Sequence, residues 1–187
     1  MPFDIKPFEL PGLLLIEGKL FPDDRGHFME SFRVDDLAKA GLPPFVQDNL
    51  SRSKKGVLRG LHFQKLPRPQ GKLIRCIRGR IYDVAVDVRK GSPTYGEWAG
   101  VELSDINNAM LWVPAGFAHG FYTLSDWADV QYKVTDYWAP ELDRGLRWND
   151  PAVGIAWPLA GAPIVLKKDA EWPALAGCDA NFEWTGR

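Results

Sequence analysis

Proline and glycine supply 33 of the 187 residues, 15 and 18 respectively, and they are scattered along the whole chain rather than gathered into linkers. Between them lie apolar runs of about four to eight residues, the length of strands and too short for most helices. The clearest is Ile81-Tyr-Asp-Val-Ala-Val-Asp-Val88, where Tyr82, Val84, Val86 and Val88 alternate with Asp83, Ala85 and Asp87. A period of two predicts a half-buried strand. Strands are expected on the same grounds over Leu13–Glu17, Phe28–Phe32, Phe45–Ser51, Val57–Phe63, Lys72–Arg78, Glu97–Leu103, Met110–Val113, His119–Leu124 and Val130–Thr135. Gly79 predicts a hairpin turn between Lys72–Arg78 and the strand after it. Val34–Gly41 reads as one short helix, with acids early and glycine at its end. So many short strands at regular spacing imply an all-β sandwich or jelly roll with short peripheral helices. No linker, repeat or low-complexity stretch divides the chain, so a single domain over 1–187 is expected. The segment from Trp148 to Trp184 has little periodicity and should wrap the barrel as ordered loops. The eight tryptophans should mostly pack walls and interfaces, with one or two left to stack on a planar ligand.

The bulk numbers narrow the function. The formal net charge is −1 and the basic residues are spread evenly, so nothing favours nucleic acid. No basic stretch followed by a long apolar segment opens the chain, so no signal peptide is expected. Leu13-Leu-Leu-Ile16 is far too short to span a bilayer. Cys76 and Cys178 lie in unrelated contexts and form no C-x-x-C pair, which points to a reducing cytoplasm.

The chemistry is concentrated in Val57-Leu-Arg-Gly-Leu-His62-Phe-Gln64 and in Gly71-Lys72 at the head of the next run. Arg59 can clamp phosphate through its planar fork. His62 can take a proton near neutral pH, and Lys72 can hold a developing oxyanion. That set suits proton abstraction beside a carbonyl on a phosphate-bearing substrate; an ordinary strand pair with solvated charges would carry the same letters. Strict alternation would put Arg59 and His62 on opposite faces, and Gly60 between them is expected to mark a bulge that re-aims one of them. Pro114-Ala-Gly-Phe-Ala-His119-Gly feeds a second histidine into a strand. The pair of His motifs has the layout of a cupin barrel. A metal cupin needs about four ligands, however, and Gln64 stands where the second histidine of the first motif would be. Metal binding is therefore disfavoured. Tyr132, in Gln131-Tyr-Lys133, could serve as an acid opposite a base, or simply pack. Asp169, in Lys167-Lys-Asp169, could fix the tautomer of a catalytic histidine, or belong to a surface charge cluster. Phe45-Val-Gln-Asp-Asn49 and Asp24-Arg25-Gly26 with Glu30 place polar groups among apolar ones, as a ligand-filled lumen requires.

Together these motifs resemble the nucleotide-sugar epimerases that invert C3 and C5 of thymidine-diphospho-4-keto-6-deoxyglucose. The resemblance runs from Phe21-Pro-Asp-Asp-Arg-Gly26 to Lys168-Asp169. It includes Gln70-Gly-Lys72, Val84-Ala-Val-Asp-Val-Arg89, Trp112–Gly120 and Trp148-Asn-Asp-Pro151. It implies a cupin-like jelly roll that uses no metal or other cofactor and works as a homodimer with exchanged strands. By the family's pattern His62 is the base, Asp169 its partner, Tyr132 the acid and Lys72 the group that holds the enolate. Gln47, Asp48, Asn49, Arg59, His119 and Lys168 would contact substrate, and Arg25 and Glu30 would reach a nucleotide in the partner's site. Trp138 stands where the family often has a second tyrosine and Asp143 where it often has glutamate; both would line the substrate site. A single-centre epimerase, a metal-dependent sugar isomerase and a non-catalytic sugar-binding cupin are the competing readings.

Overall fold

The runs between the glycine and proline breaks fold as strands because each offers one face to an apolar interior. The computed structural model describes residues 2–186; Met1 and Arg187, the ends of the expected domain, lie outside the described residues. The strands begin with β1 (Phe3–Pro7), β2 (Leu14–Gly18), β3 (Phe21–Asp23), β4 (Gly26–Phe28), β5 (Gln47–Lys54), β6 (Val57–Gln64) and β7 (Lys72–Arg78). They continue with β8 (Arg80–Asp87), β9 (Trp98–Ser104), β10 (Ala109–Val113), β11 (Phe117–Thr123), β12 (Trp127–Val134), β13 (Asp143–Gly145) and β14 (Ile164–Val165). Two short helices, α1 (Val34–Lys39) and α2 (Lys167–Ala170), lie outside the sheets.

One sheet has the order β1-β2-β10-β7-β12-β5. The other runs β13-β6-β11-β8-β9, with β14 added in parallel beside β6. The two sheets face one another as a cupin-like jelly roll. Leu13, Ile74, Ile81, Ala85, Leu111, Phe117 and Val130 fill the space between them. Full burial of such a side chain stabilises the fold by about 1.5–3 kcal/mol.

The outer faces are covered unequally. Helix α1 lays Leu37 over Ile16, Leu73, Met110 and Trp112 of the first sheet. The C-terminal segment covers the second sheet, burying Val84, Val86 and Val88 beneath Val153, Ala180 and Phe182. Strand β8 is thus buried on both faces rather than half-buried, and the expected ordered wrap is what buries its valines. Arg89 locks that wrap. It donates to Asp87 and to the carbonyl of Pro11, and its guanidinium lies 4.4 Å from the rings of both Phe117 and Trp184.

Two expectations need correction. Gly79 does not close a hairpin, because β7 and β8 belong to different sheets. Its backbone, at φ +80°, is tucked under Trp127 and Ala128, and its N–H donates to Asp105, so the turn carries the chain across the sandwich. Phe28–Phe32 is not a strand; β4 ends at Phe28. The residues after it are held by side chains instead, with Met29 Sδ accepting from Arg75 and Phe32 edge-on to Phe45.

Candidate active site

Strand β6 is irregular where the chemistry needs it. His119 pairs with His62 and Phe121 with Arg59, so three steps on β6 oppose two on β11. The extra residue is a bulge at Gly60, φ +123°, whose Cβ would meet the Gly120 Cα at 2.6 Å. The bulge resolves the alternation problem: Arg59 and His62 line the same cavity. Two connected hollows of about 130 and 300 Å³ share His62, Lys72 and Tyr132. The smaller adds Ser51, Arg59 and His119, and the larger adds Gln47, Asn49, Gln70, Trp138 and Asp143.

The two walls differ in chemistry. His62 stands on β6 of one sheet; Tyr132 and Lys72 stand on β12 and β7 of the other. His62 Nε2 lies 2.7 Å from Asp169 Oδ1. The carboxylate can only accept, so Nε2 carries the proton and Nδ1 keeps its lone pair for a substrate. Helix α2 brings Asp169 to this place, and the Gly60 N–H donates to its other oxygen at 3.1 Å. Burial alone would raise the Asp169 carboxyl, but the bonds from His62 and Gly60 outweigh it and hold the group below the usual carboxylate range.

Lys72 is buried and donates to the His62 carbonyl at 3.1 Å. Desolvation lowers its pKa to about 8, with Asp143 and Asp83 opposing the fall. It therefore remains largely ammonium at neutral pH. Tyr132 is pushed up by burial, with Arg59 pulling the other way, so its phenol keeps its proton. A protonated phenol faces an imidazole with a free lone pair across one cavity, which is the arrangement of an acid and a base.

His119 forms a second imidazole–carboxylate pair, with Nε2 3.0 Å from both oxygens of Asp83. Burial lowers its pKa, against the pull of Asp83. The sequence reading missed Asp83. The available signal was a carboxylate on the Ala85 face of β8, the face that lines the interior.

Around the rim, Arg59 Nε donates to Ser53 Oγ at 2.9 Å. Gln47 donates to Asn49 and accepts the Trp138 N–H. Lys168 reaches Asp143 at 2.6 Å, tying α2 to β13. Gln64, opposite Asp143, spends its amide on the backbone of Arg68, Tyr137 and Ala139 and braces the loop that carries Trp138.

Three expected residues are not brought to this cavity within the chain. Asp48 points to the other face of β5, where it pairs with Lys133 at 2.9 Å. Strand alternation dictates that outcome once Gln47 and Asn49 point inward. Arg25 sits at the tip of the exposed β3–β4 hairpin, bonded to Asp23. Glu30 lines a separate depression of about 590 Å³ with Lys19, Phe21, Phe28, Arg33 and Asp36, where it pairs with Arg33 at 3.5 Å.

A jelly roll with an imidazole–carboxylate pair on one wall and a phenol on the other suits a class of enzyme that moves protons between the faces of a bound ligand. Comparison with known proteins gives the family. Residues 7–177 match the family model described as dTDP-4-dehydrorhamnose 3,5-epimerase. The chain is 51% identical over 172 residues to the enzyme of that name from Pseudomonas aeruginosa, covering 91% of this chain and 94% of the relative. It superimposes with a TM-score of 0.94, at 45% identity, on the dTDP-6-deoxy-D-glucose-3,5-epimerase of Legionella pneumophila, solved in complex with dTDP-4-keto-L-rhamnose; the match covers 97% of this chain and 98% of that one. A 3′-monoepimerase from Streptomyces bikiniensis, solved with dTDP-quinovose, is similar at 35% identity and a TM-score of 0.87, covering 91% and 87%. The chain belongs to the dTDP-4-dehydrorhamnose 3,5-epimerase family.

Proposed function

We propose that this protein epimerises C3 and C5 of dTDP-4-dehydro-6-deoxy-D-glucose, giving dTDP-4-dehydro-L-rhamnose. The observation that carries the reading is the His62–Asp169 pair opposite a protonated Tyr132, with the Lys72 ammonium between the walls. The C4 ketone acidifies the protons on both neighbouring carbons. His62 Nδ1 removes one; the C–H electrons move into the ring and on to O4, where the Lys72 ammonium stabilises the enolate. Tyr132 then delivers its proton to the opposite face, and the centre is inverted. Solvent returns a proton to the phenolate and takes one from His62. Every proton is accounted for by these groups and water, so no step calls for a metal or a redox cofactor.

Arg59 is assigned to the diphosphate, and Gln47, Asn49, His119 and Lys168 to positioning the sugar nucleotide. Trp138 and Asp143 shape the outer cavity. We assign a homodimer in which the β3–β4 hairpin carries Arg25 to the partner's cavity, with Glu30 following just beyond the end of β4. The support is that the whole hairpin is exposed, including Phe21 and Phe28. Mixing His62→Ala with Arg25→Ala tests this, because a hybrid dimer regains one intact site. Among the described residues no helix is long and apolar enough to cross a membrane. Both cysteines are free thiols, in keeping with action in the cytoplasm.

A second reading, epimerisation of one centre only, rests on Trp138, whose indole is bulkier than the tyrosine the family often has there. NMR in D₂O separates the two. Solvent deuterium entering both C3 and C5 supports the double epimerase; entry at one carbon alone assigns the single-centre reaction, and no entry rejects both.

A further inference from the structure

Trp172 stands beside the catalytic pair without lining either hollow of the cavity. Its ring is edge-on to His62, centroids 6.4 Å apart and planes at 73°. It can be there only because residue 145 is glycine. Gly145 is the register partner of His62 across β13 and β6, and a Cβ on it would collide with Cδ1, Nε1 and Cε2 of the indole. Its backbone lies outside the left-handed region, so space and not conformation demands glycine here.

The indole is held from two further sides. The Arg147 N–H donates to the Pro173 carbonyl at 2.8 Å, which pins the segment to the chain just beyond β13. The Lys168 ammonium lies 5.1 Å from the ring centroid, and Asp143 holds that ammonium in turn. The indole N–H is buried and, among the described residues, meets no acceptor in hydrogen-bond geometry. Its polarity nonetheless contributes to holding the Asp169 carboxyl low, behind the stronger effects of His62 and Gly60.

We infer that Trp172 is a positioning residue: seated in the slot that Gly145 leaves, it holds the His62 imidazole in the orientation that joins Nε2 to Asp169 and aims Nδ1 at the substrate. This rests on the role proposed for His62. A base displaced by about 1 Å can lose about 100-fold in rate, so the wall behind the ring matters as much as its partner.

The test uses Trp172→Ala, Trp172→Phe, Gly145→Ala and the double variant Gly145→Ala/Trp172→Ala. The readouts are kcat, KM, deuterium entry at C5 and the downfield proton resonance of the His62–Asp169 hydrogen bond. Trp172→Ala should lower kcat and C5 exchange by about 10–100-fold, with KM within about twofold and the downfield resonance lost. Trp172→Phe, which keeps an aromatic edge against His62, should retain the resonance and most of the rate. Gly145→Ala should resemble Trp172→Ala, yet add no more than about twofold once the indole is gone, because the two share one slot. Trp172→Leu stands in for the alanine variant if that does not fold, with the same loss of kcat and resonance expected. Wild-type kcat in the Ala or Leu variant, a loss confined to KM, or full additivity with Gly145→Ala would overturn the inference. The wild type runs in the same assay: its failure to exchange either carbon would count against the epimerase reading and not against the role of Trp172.

Discussion

The molecule builds the same imidazole–carboxylate pair twice, on strands that are register partners. His62 with Asp169 and His119 with Asp83 have nearly the same bond length, 2.7 and 3.0 Å. Their surroundings differ. The His62 side chain is 33% exposed and opens into the cavity, whereas that of His119 is 8% exposed and its carboxylate is fully buried. An imidazole that opens into the cavity is within reach of a bound ligand. For the buried one desolvation opposes protonation, against the pull of Asp83, which suits a fixed hydrogen-bonding group. The two pairs share their chemistry, and it is burial that distinguishes the proposed base from the proposed brace.

The comparison breaks most visibly at the imidazoles. His62→Ala should lower exchange at both C3 and C5 by about 10²–10⁴-fold, the usual cost of losing a positioned base. His119→Ala should cost clearly less in exchange rate and show part of its effect in KM. Equal losses in deuterium-exchange assays would erase the distinction drawn here.

The carboxylates sharpen it in stability. His119 is lowered chiefly by burial, so the unfolded chain binds its proton more readily than the folded one. Stability should therefore fall as pH drops below the ordinary histidine value near 6.5, by at most about 2 kcal/mol at pH 5. His119→Asn should flatten that part of the melting-temperature profile. An unchanged profile would show that His119 titrates freely.

Lys72 gives the next effect. Its ammonium is the form the reading requires and its pKa is lowered to about 8, so kcat/KM should fall as the pH rises through that value. A kcat/KM that stays level to pH 10 would contradict an ammonium at the enolate. The smallest effect on the chemical step is expected at Arg59. Arg59→Ala should raise KM on the order of tenfold and leave kcat nearly unchanged, because a diphosphate clamp binds ground and transition states alike. Steady-state kinetics that put the loss in kcat would move Arg59 to the reacting carbons.

Much of this was legible in the sequence. The alternating runs located β2 and β5–β12, nine of the fourteen described strands, and the short Val57–Gln64 and Gly71-Lys72 motifs held His62 and Lys72, which the structure brings to one cavity. The glycine inside Arg59-Gly-Leu-His62 announced the bulge, since no other residue fits against Gly120. What escaped was set by distant chain. Gly79 looks like a hairpin because a local turn signal does not say which sheet the next strand joins. Asp83 looked like the polar face of a half-buried strand because the segment covering β8 lies some 70–100 residues further on. Asp48 sat inside a motif whose alternate positions are the ones facing the cavity. Trp172 carried no motif at all, and its meaning appears only with Gly145 opposite His62.

The central claim is that proton removal and proton return belong to opposite walls, His62 on one sheet and Tyr132 on the other. Tyr132→Phe tests it most directly, because the ring stays and only the acid is lost. The variant, incubated in D₂O with the 4-keto-6-deoxy sugar nucleotide and followed by NMR, should wash deuterium into C5 while little inverted product accumulates, since His62 alone can still form and reprotonate the enolate from its own side. Full epimerisation by the phenylalanine variant would contradict the two-wall account.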